Sequence, residues 1–187
     1  VNPGAPMGPP PAVTALAFDP YSELLWHGTS YGTVASLYSP QLQRYTSYAA
    51  HGVPTRPSPT KGILADERHI YSIGDQAIKC SQRRGLAKWT TLTHDFGTSA
   101  MSLVSMCASP LAASSDLIAA GVSQSAATGG DIDHDNDLIV AVNNSTGAMV
   151  RSVPSEAPIV HLRKSGRYIC AGTNNGHVQL RDPRSLK

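Results

Sequence analysis

The sequence predicts an all-β protein built from a repeated strand meander, and three observations support this fold class. Four hydrophobic runs end in glycine, at Gly28, Gly74, Gly121 and Gly172, so that the glycines are 46, 47 and 51 residues apart. Apolar and polar residues alternate on either side of these runs, and no helical stripe competes with them. The 187 residues also include 16 glycines and 14 prolines, which predicts many turns and no long helices.

The repeated unit is roughly 40 to 50 residues long and is predicted to hold four short strands. The units occupy about residues 13–51, 60–93, 100–153 and 158–187, and a Pro-rich extended tail covers residues 1–12. The fourth unit is expected to lack its last strand, because the sequence stops at Lys187. In each unit the strand that ends in glycine is the second one. The first strands are predicted at residues 13–18, 62–65, 101–106 and 159–162. The third strands are predicted at residues 33–38, 77–80, 138–142 and 177–181.

Units one and four agree best in their turns. Gly28 is followed by three polar residues and Gly32, and Gly172 is followed in the same way by Gly176. A tight connection between two strands needs a positive φ, which glycine adopts at little cost, so Gly32 and Gly176 are predicted to have one. The alternation after each turn predicts that Val34 and Val178 face the core.

This period, with four short strands per unit and an ending of glycine, turn, hydrophobic residues and Asp, is typical of a WD-repeat β-propeller. Leu180, Arg181 and Asp182 stand where such repeats have an apolar residue, Trp and Asp, whereas Tyr38 replaces that Asp in unit one. Propellers usually close with about four to eight blades, and this sequence supplies nearly four. An unrelated β-sandwich with accidental spacing is the alternative.

An acidic insertion, residues 123–137, interrupts unit three. Its carboxylates are spaced by two residues, as at the beginning of a calcium-binding loop. However, Asn136 occupies the position of the sharp-turn glycine, and Val142 stands where a bidentate Glu is required. We interpret the insertion as a solvated, mobile loop whose like charges repel one another: Asp131, Asp133, Asp135 and Asp137.

Enzymatic chemistry has little support in the sequence. The seven histidines show no ligand pairing, no G-x-S-x-G or phosphate-binding loop is present, and the match of Ser58–Lys61 to S-x-x-K falls in a Pro-rich connection. Cys80, Cys107 and Cys170 form no C-x-x-C pair and are predicted to be free thiols in a reducing compartment.

The charges are sorted along the chain, although the net charge is only +2. Residues 89–150 contain six Asp and no Lys or Arg, whereas basic residues cluster just before them. This basic stretch is a candidate for a weak contact with phosphates, and the neighbouring Trp could stack on a base. A solvated face and a Trp packed in the core are the alternatives. The candidate residues are Arg83, Arg84, Lys88 and Trp89.

Several segments, spread over residues 13–184, carry a resemblance to a known family. The chain resembles the opening of the Pan2 family, the catalytic subunit of the poly(A)-nuclease deadenylation complex. The acidic insertion departs from the family's core pattern. The matching segments are Val13–Asp19, Glu23–Gly28, Tyr38–Ser47 with His51, Arg84–Leu86, Asp116–Gly121, Arg167–Gly172 and Leu180–Arg184.

The resemblance implies a large parent protein with an amino-terminal seven-bladed propeller and a linker that binds a pseudokinase subunit. It further implies an inactive ubiquitin-hydrolase-like domain and a carboxy-terminal 3′–5′ exoribonuclease specific for poly(A). The two magnesium ions of that nuclease belong to a domain outside this sequence, so no catalytic residue and no cofactor is expected here. The implied residues are structural ones in turns and blades: Gly28, Gly32, Gly74, Gly121, Gly172, Gly176 and Asp182.

The resemblance predicts a non-catalytic scaffold in cytoplasmic shortening of messenger RNA poly(A) tails. Its expected partners are the pseudokinase subunit, poly(A)-binding protein indirectly and, weakly, poly(A) RNA, with no membrane association. Further blades or a second copy of the chain are expected to complete the ring. A WD-repeat adaptor that binds a protein or peptide outside RNA metabolism is the rival hypothesis.

Overall fold

The computed structural model describes residues 10–38, 40–52, 56–96, 101–109, 116–123 and 137–186. Within these residues the secondary structure is almost entirely β, with one 3₁₀ turn at Thr93–Phe96. The strands are β1 Val13–Phe18, β2 Leu24–Thr29, β3 Thr33–Tyr38, β4 Gln43–Ala49, β5 Gly62–Ala65, β6 His69–Ile73, β7 Ala77–Gln82, β8 Ala87–Leu92, β9 Met101–Ala108, β10 Asp116–Ser123, β11 Leu138–Asn143, β12 Met149–Pro154, β13 Ile159–Ser165, β14 Tyr168–Thr173 and β15 Val178–Arg181.

Consecutive strands pair antiparallel in four separate sheets, which we call blades one to four. Blade one is β1-β2-β3-β4, blade two β5-β6-β7-β8, blade three β9-β10-β11-β12 and blade four β13-β14-β15. The all-β prediction is therefore confirmed, and the predicted first and third strands of all four units are present. No helix among the described residues is long and apolar enough to cross a membrane.

The turns between the second and third strands of blades one and four have the predicted backbone. Gly32 has a φ of 78° and Gly176 a φ of 83°. In each turn the glycine N–H donates to the carbonyl of the threonine that ends the preceding strand, at 3.0 Å to Thr29 and 3.1 Å to Thr173. Positive φ strains residues with a Cβ, so glycine at these two positions favours the tight turn.

Among the described residues the core consists of three apolar clusters, one between each pair of successive blades. Each inner blade contributes to two clusters because successive side chains of a strand point to opposite faces of its sheet. In β6, for example, Ile70 packs toward Trp26 of blade one, whereas Tyr71 packs toward Leu103 of blade three. The blades are thus stacked face to face in the order of the sequence.

The outer faces of blades one and four are not covered by another sheet of the described structure. Val34 is fully buried as predicted, but the prediction for Val178 is wrong, because 71% of its surface is exposed. Val34 packs against blade two, while no sheet packs on the same face of blade four. We call these surfaces the open faces; they carry Leu16 and Phe18 on β1 and Val178 and Leu180 on β15.

Most of the acidic insertion, including Asp131, Asp133 and Asp135, lies outside the described residues, as do residues 1–9 of the Pro-rich tail. Asp137 is described, and only 3% of its surface is exposed. The interpretation of a solvated loop is therefore wrong for Asp137. The residue directly precedes β11, and its carbonyl accepts a hydrogen bond from the N–H of Ser155 at 2.7 Å, which holds it inside the blade.

Candidate functional site

The loops of the blades lie at two opposite ends of the sheets, which we call the lower and upper edges. Turns between first and second strands, and between third and fourth strands, lie at the lower edge. Turns between second and third strands, and the connections from one blade to the next, lie at the upper edge. The sequence-predicted basic stretch falls mostly at the lower edge of blade two, around the turn between β7 and β8.

Arg83 lies in that turn and bridges blades one and two. Its guanidinium donates to the carboxylate of Asp19, and also to Ser22 Oγ at 2.7 Å, both in blade one. It also donates to the backbone carbonyl of Asp66 in blade two at 2.5 Å. Because these contacts occupy the guanidinium within the protein, they argue against the hypothesis that Arg83 contacts RNA phosphates.

Asp19 is the centre of this bridge, and its side chain has no exposed surface. One carboxylate oxygen accepts the backbone N–H groups of Tyr21 and Ser22 at 2.9 and 3.1 Å, and the other accepts the indole N–H of Trp26 at 2.8 Å. Burial alone would raise the pKa of Asp19. The hydrogen bonds from Trp26 and Tyr21, with the charge of Arg83, outweigh burial and lower this pKa below its usual value.

Asp66 repeats the same arrangement in blade two. One of its carboxylate oxygens accepts the N–H groups of Arg68 and His69 at 2.7 and 2.6 Å, and the other accepts the hydroxyl of Tyr71 at 2.7 Å. Burial opposes ionisation of Asp66, but these hydrogen bonds lower its pKa overall. The sequence analysis did not single out Asp66. The signal that could have found it is an Asp between the first two strands of units one and two, followed by an aromatic residue in the second strand.

Arg84 and Lys88 are exposed, unlike Arg83. Arg84 has no hydrogen-bond or ion-pair partner among the described residues, and the Nζ of Lys88 lies 3.1 Å from Nε2 of His69. Beside them, a shallow groove of about 380 Å³ is lined in part by the exposed ring of Tyr21 and by Asn144. Asp66, Glu67 and Arg68 also line this groove, so the lower edge of blade two presents exposed cations next to a groove of mixed charge.

Trp89 is half-buried between blades two and three. Its indole N–H donates to the carbonyl of Asn144 at 2.9 Å, and its ring lies 6.1 Å from that of Tyr71. A Cβ on Gly147 would lie 2.7 Å from the Trp89 ring, so the turn of blade three sits directly on the indole. This packing supports the core interpretation of Trp89 rather than the stacking of a base.

The predicted glycines at or near the ends of the second strands differ in their surroundings. A Cβ on Gly28 would lie 2.6 Å from Thr60, and one on Gly74 would lie 2.6 Å from His51, so both pack on the connection between blades one and two. Gly172 has its nearest atom at 4.0 Å, because no further blade packs beside it. Gly121 is buried within β10.

Asp182, a predicted structural residue, directly follows β15. A carboxylate oxygen of Asp182 accepts the N–H of Arg184 at 2.8 Å, and its carbonyl accepts that of Leu186 at 2.7 Å, so Asp182 stabilises a turn. Arg181, the last residue of β15, is buried. Its guanidinium donates to the carbonyl of Leu186 at 2.9 Å and to Gln179 at 2.6 Å, so these contacts occupy it within the blade.

The described residues contain no group of three or more His, Cys, Asp or Glu side chains placed to hold a metal ion. All three cysteines are free, and Cys80 and Cys107 are buried while Cys170 is half-buried. Burial raises the pKa of Cys80 to about 11 and that of Cys107 to about 12, so both thiols are protonated and unreactive at neutral pH.

The sequence relatives found by comparison with known proteins share one description. No protein-family model matches the chain. The chain is 38% identical over 176 residues to the "PAN2-PAN3 deadenylation complex catalytic subunit pan2" of Emericella nidulans and 35% identical over 190 residues to that of Neosartorya fischeri. The alignments cover 94% and 100% of this chain but only 13% and 14% of those proteins. The chain therefore spans about one-seventh of the length of these relatives.

Solved structures show the same architecture. The Neurospora crassa Pan2 WD40 domain matches with a TM-score of 0.77 and 24% identity, over 98% of this chain and 51% of that domain. The computationally designed Ika4 protein matches with a TM-score of 0.63 and 13% identity, over 92% of both chains. The predicted WD-repeat propeller fold is thus confirmed, as an open arc of four blades.

Proposed function

We propose a function from the premise that this chain is a homologue of a segment of Pan2 subunits, which it matches over nearly its whole length. The function is that of a non-catalytic scaffold in a poly(A)-specific deadenylation complex. In this role the blades hold partner proteins and ribonucleoprotein near a nuclease, so that poly(A) tails of messenger RNA are shortened. The sequence homology is the observation that carries the proposal.

Catalysis is assigned to a part of the parent protein outside this segment. The relatives are described as catalytic subunits, but the segment that they share with this chain is about one-seventh of their length and has the fold of a WD40 domain. In this proposal the parent is a magnesium-dependent 3′–5′ exoribonuclease, and its two metal ions are bound by the nuclease domain. In this proposal the propeller positions other components of the complex and takes no part in RNA hydrolysis.

The proposed partners follow from the complex that the relatives are named for. The relatives are named as subunits of a PAN2-PAN3 complex, which supports a second subunit as the first partner, and we propose that this subunit is the pseudokinase. Poly(A)-binding protein is proposed as an indirect partner, and the cytoplasm as the compartment. Poly(A) RNA itself is proposed to contact Arg84 and Lys88, which are the exposed cations of the basic stretch.

Affinity capture from a fungal lysate tests the scaffold function. The tagged chain is recovered with and without ribonuclease treatment, and its partners are identified by mass spectrometry. Recovery of the second subunit or of poly(A)-binding protein in both samples supports protein-mediated scaffolding by these four blades. Recovery only without ribonuclease supports an RNA bridge instead. Reproducible recovery of proteins unrelated to RNA metabolism, with neither expected partner, supports the rival adaptor hypothesis.

A further inference from the structure

A second surface, unrelated to the basic stretch at the lower edge, lies at the upper edge between blades one and two. It is a cleft of about 500 Å³ beneath the connection that joins the two blades, and we call it the upper cleft. One wall is formed by described residues of that connection, with Arg56 and Ser58, and the other is formed by the upper ends of β7 and β8, with Lys79, Thr90 and Leu92. This volume falls within the usual range for sites that bind small ligands or a few side chains.

The walls of the upper cleft are held in place by contacts between the two blades. The buried ring of His51 closes the inner end, where its Nε2 lies 2.8 Å from Ser72 Oγ. Gly52 has a φ of 72°, and a Cβ on it would lie 2.5 Å from the backbone nitrogen of Ser58, so this part of the connection folds tightly on itself.

Among the described residues that line the cleft, Asp75 is the one carboxylate, and a lysine already neutralises it. Asp75 forms an ion pair with Lys61 at 2.6 Å, and the hydroxyls of Ser58 and Ser102 donate to its two oxygens at 3.3 Å. Burial raises the pKa of Asp75, but the hydrogen bond and charge of Lys61 and the two hydroxyls lower it overall, so the group is ionised at neutral pH. Its negative charge is balanced by a lysine from outside the lining.

Arg56 and Lys79 are consequently uncompensated. Neither side chain has a hydrogen-bond or ion-pair partner among the described residues; Arg56 is exposed and Lys79 is partly buried. With His51 neutral and Asp75 paired, the described lining of the cleft has a net positive charge, supplied by these two side chains. A partly desolvated cation such as Lys79 gains most from an anion that also forms hydrogen bonds with it, and the guanidinium of Arg56 can donate two hydrogen bonds to one carboxylate.

The residues that line the cleft favour a peptide over a nucleic acid as the ligand. No Phe, Tyr or Trp lines the cleft among the described residues, so bases have no ring on which to stack. Leu92 and the neighbouring Pro57 instead offer apolar surface, and Thr90 and Gln76 offer side-chain hydrogen bonds. This mixture suits a peptide that alternates acidic and apolar side chains.

We infer that the upper cleft binds an acidic peptide segment of a partner protein, with its carboxylates on Arg56 and Lys79 and an adjacent apolar side chain against Leu92. The inference does not depend on the proposed role in deadenylation, because it rests on the charge and lining of the cleft alone. It makes the junction of blades one and two a docking point distinct from the lower edge.

The test measures binding of the whole 187-residue chain to a labelled peptide by fluorescence anisotropy at low salt. The probe is an acetylated, fluorescein-labelled octapeptide of alternating glutamate and leucine, and the matched probe has glutamine in place of glutamate. The glutamate peptide is expected to bind at least about tenfold more tightly. The double variant Arg56→Gln/Lys79→Gln is expected to lose that preference, whereas Arg44→Gln, an exposed arginine of blade one, should keep it.

A charge-reversal variant distinguishes loss of the site from loss of folding. Arg56→Glu/Lys79→Glu is expected to bind a lysine–leucine octapeptide in preference to the glutamate one, a gain that an unfolded chain cannot show. Equal binding of the glutamate and glutamine peptides would overturn the inference, as would an unchanged affinity of the double variant. Tighter binding of a twelve-nucleotide oligoadenylate through the same two side chains would also overturn it and make the cleft an RNA site.

Discussion

Asp19 of blade one and Arg83 of blade two form an ion pair across the junction of the two blades, although 64 residues separate them in the sequence. The carboxylate is buried and the guanidinium is only 19% exposed. The same carboxylate also accepts the indole N–H of Trp26, so one Asp orders its own loop, the core tryptophan and the next blade. This junction is therefore a sensitive point for the stability of the arc.

Removal of Arg83 should destabilise the fold more than removal of its neighbour. Arg83→Ala leaves Asp19 with a buried, uncompensated charge, and breaking such a pair typically costs about 3 to 5 kcal/mol. Arg84→Ala is the matched control and should change the free energy of unfolding by less than about 0.5 kcal/mol, because that side chain is exposed and unpartnered. Urea unfolding measures both values. Equal effects of the two variants would show that the ion pair contributes nothing specific.

His51 predicts a pH dependence of stability. Burial, with repulsion from Lys79, lowers its pKa to about 4, although Asp75 opposes the shift. The unfolded chain therefore binds more protons than the folded chain between pH 4 and about 6.5, so the free energy of unfolding should fall as pH decreases through this window. The full loss is roughly 3 kcal/mol, from the size of the shift. Above pH 6.5 the contribution of this group should be constant.

The measurement is urea unfolding of the wild type and His51→Gln between pH 7.5 and 4.5. The variant should be less stable at pH 7.5 and should depend less steeply on pH than the wild type; the dependence that remains is expected from His27, whose pKa is also lowered by burial. The carboxylates of Asp19, Asp66 and Asp75 have lowered pKa values, so their contribution is lost only below the usual Asp range, and the chosen pH limits exclude it. A variant that keeps the wild-type slope would exclude His51 as its source.

The two turn glycines should respond differently to the same substitution. Both have positive φ, but a Cβ on Gly32 would lie 1.8 Å from the carbonyl oxygen of His51, whereas one on Gly176 meets nothing within 4 Å. Gly176→Ala should therefore cost about 1 to 2 kcal/mol from the backbone conformation alone. Gly32→Ala should cost at least about 3 kcal/mol, because the connection must also move. Thermal unfolding of both variants measures these losses of stability. Equal losses would count against the close approach of the His51 carbonyl to Gly32.

Sequence patterns within each unit predicted the strands and these turns. They could not predict the contacts between blades. Alternation and glycine spacing determine which residues can form a strand or turn, so β1 to β3 and the φ of Gly32 followed from sequence. The burial of a face depends on whether another sheet covers it, which explains why Val34 followed the prediction and Val178 did not. Asp19, Arg83 and the upper cleft required the stacking of blades in three dimensions.

The open faces predict self-association of the chain when it is isolated. Phe18 is 85% exposed on one end of the arc and Val178 is 71% exposed on the other, each beside a second exposed apolar side chain. Such contiguous apolar surface favours pairing. Sedimentation velocity should show dimers or larger species for the wild type and a shift toward monomer for Phe18→Ser/Val178→Ser. A wild type that stays monomeric at high concentration would show that the four blades need no cover.

The exposed cations of the lower edge predict a salt-dependent contact with poly(A). In the proposed deadenylation complex, Arg84→Glu/Lys88→Glu should weaken binding to a poly(A) oligonucleotide about threefold to tenfold. It should also reduce the dependence of log affinity on log salt by up to about two units, since each phosphate contact contributes about one. Arg163→Glu, an exposed arginine two blades away, is the control for charge reversal. If the double variant and the control bind equally well at every salt concentration, the lower edge does not touch RNA, and the scaffold function must rest on protein contacts.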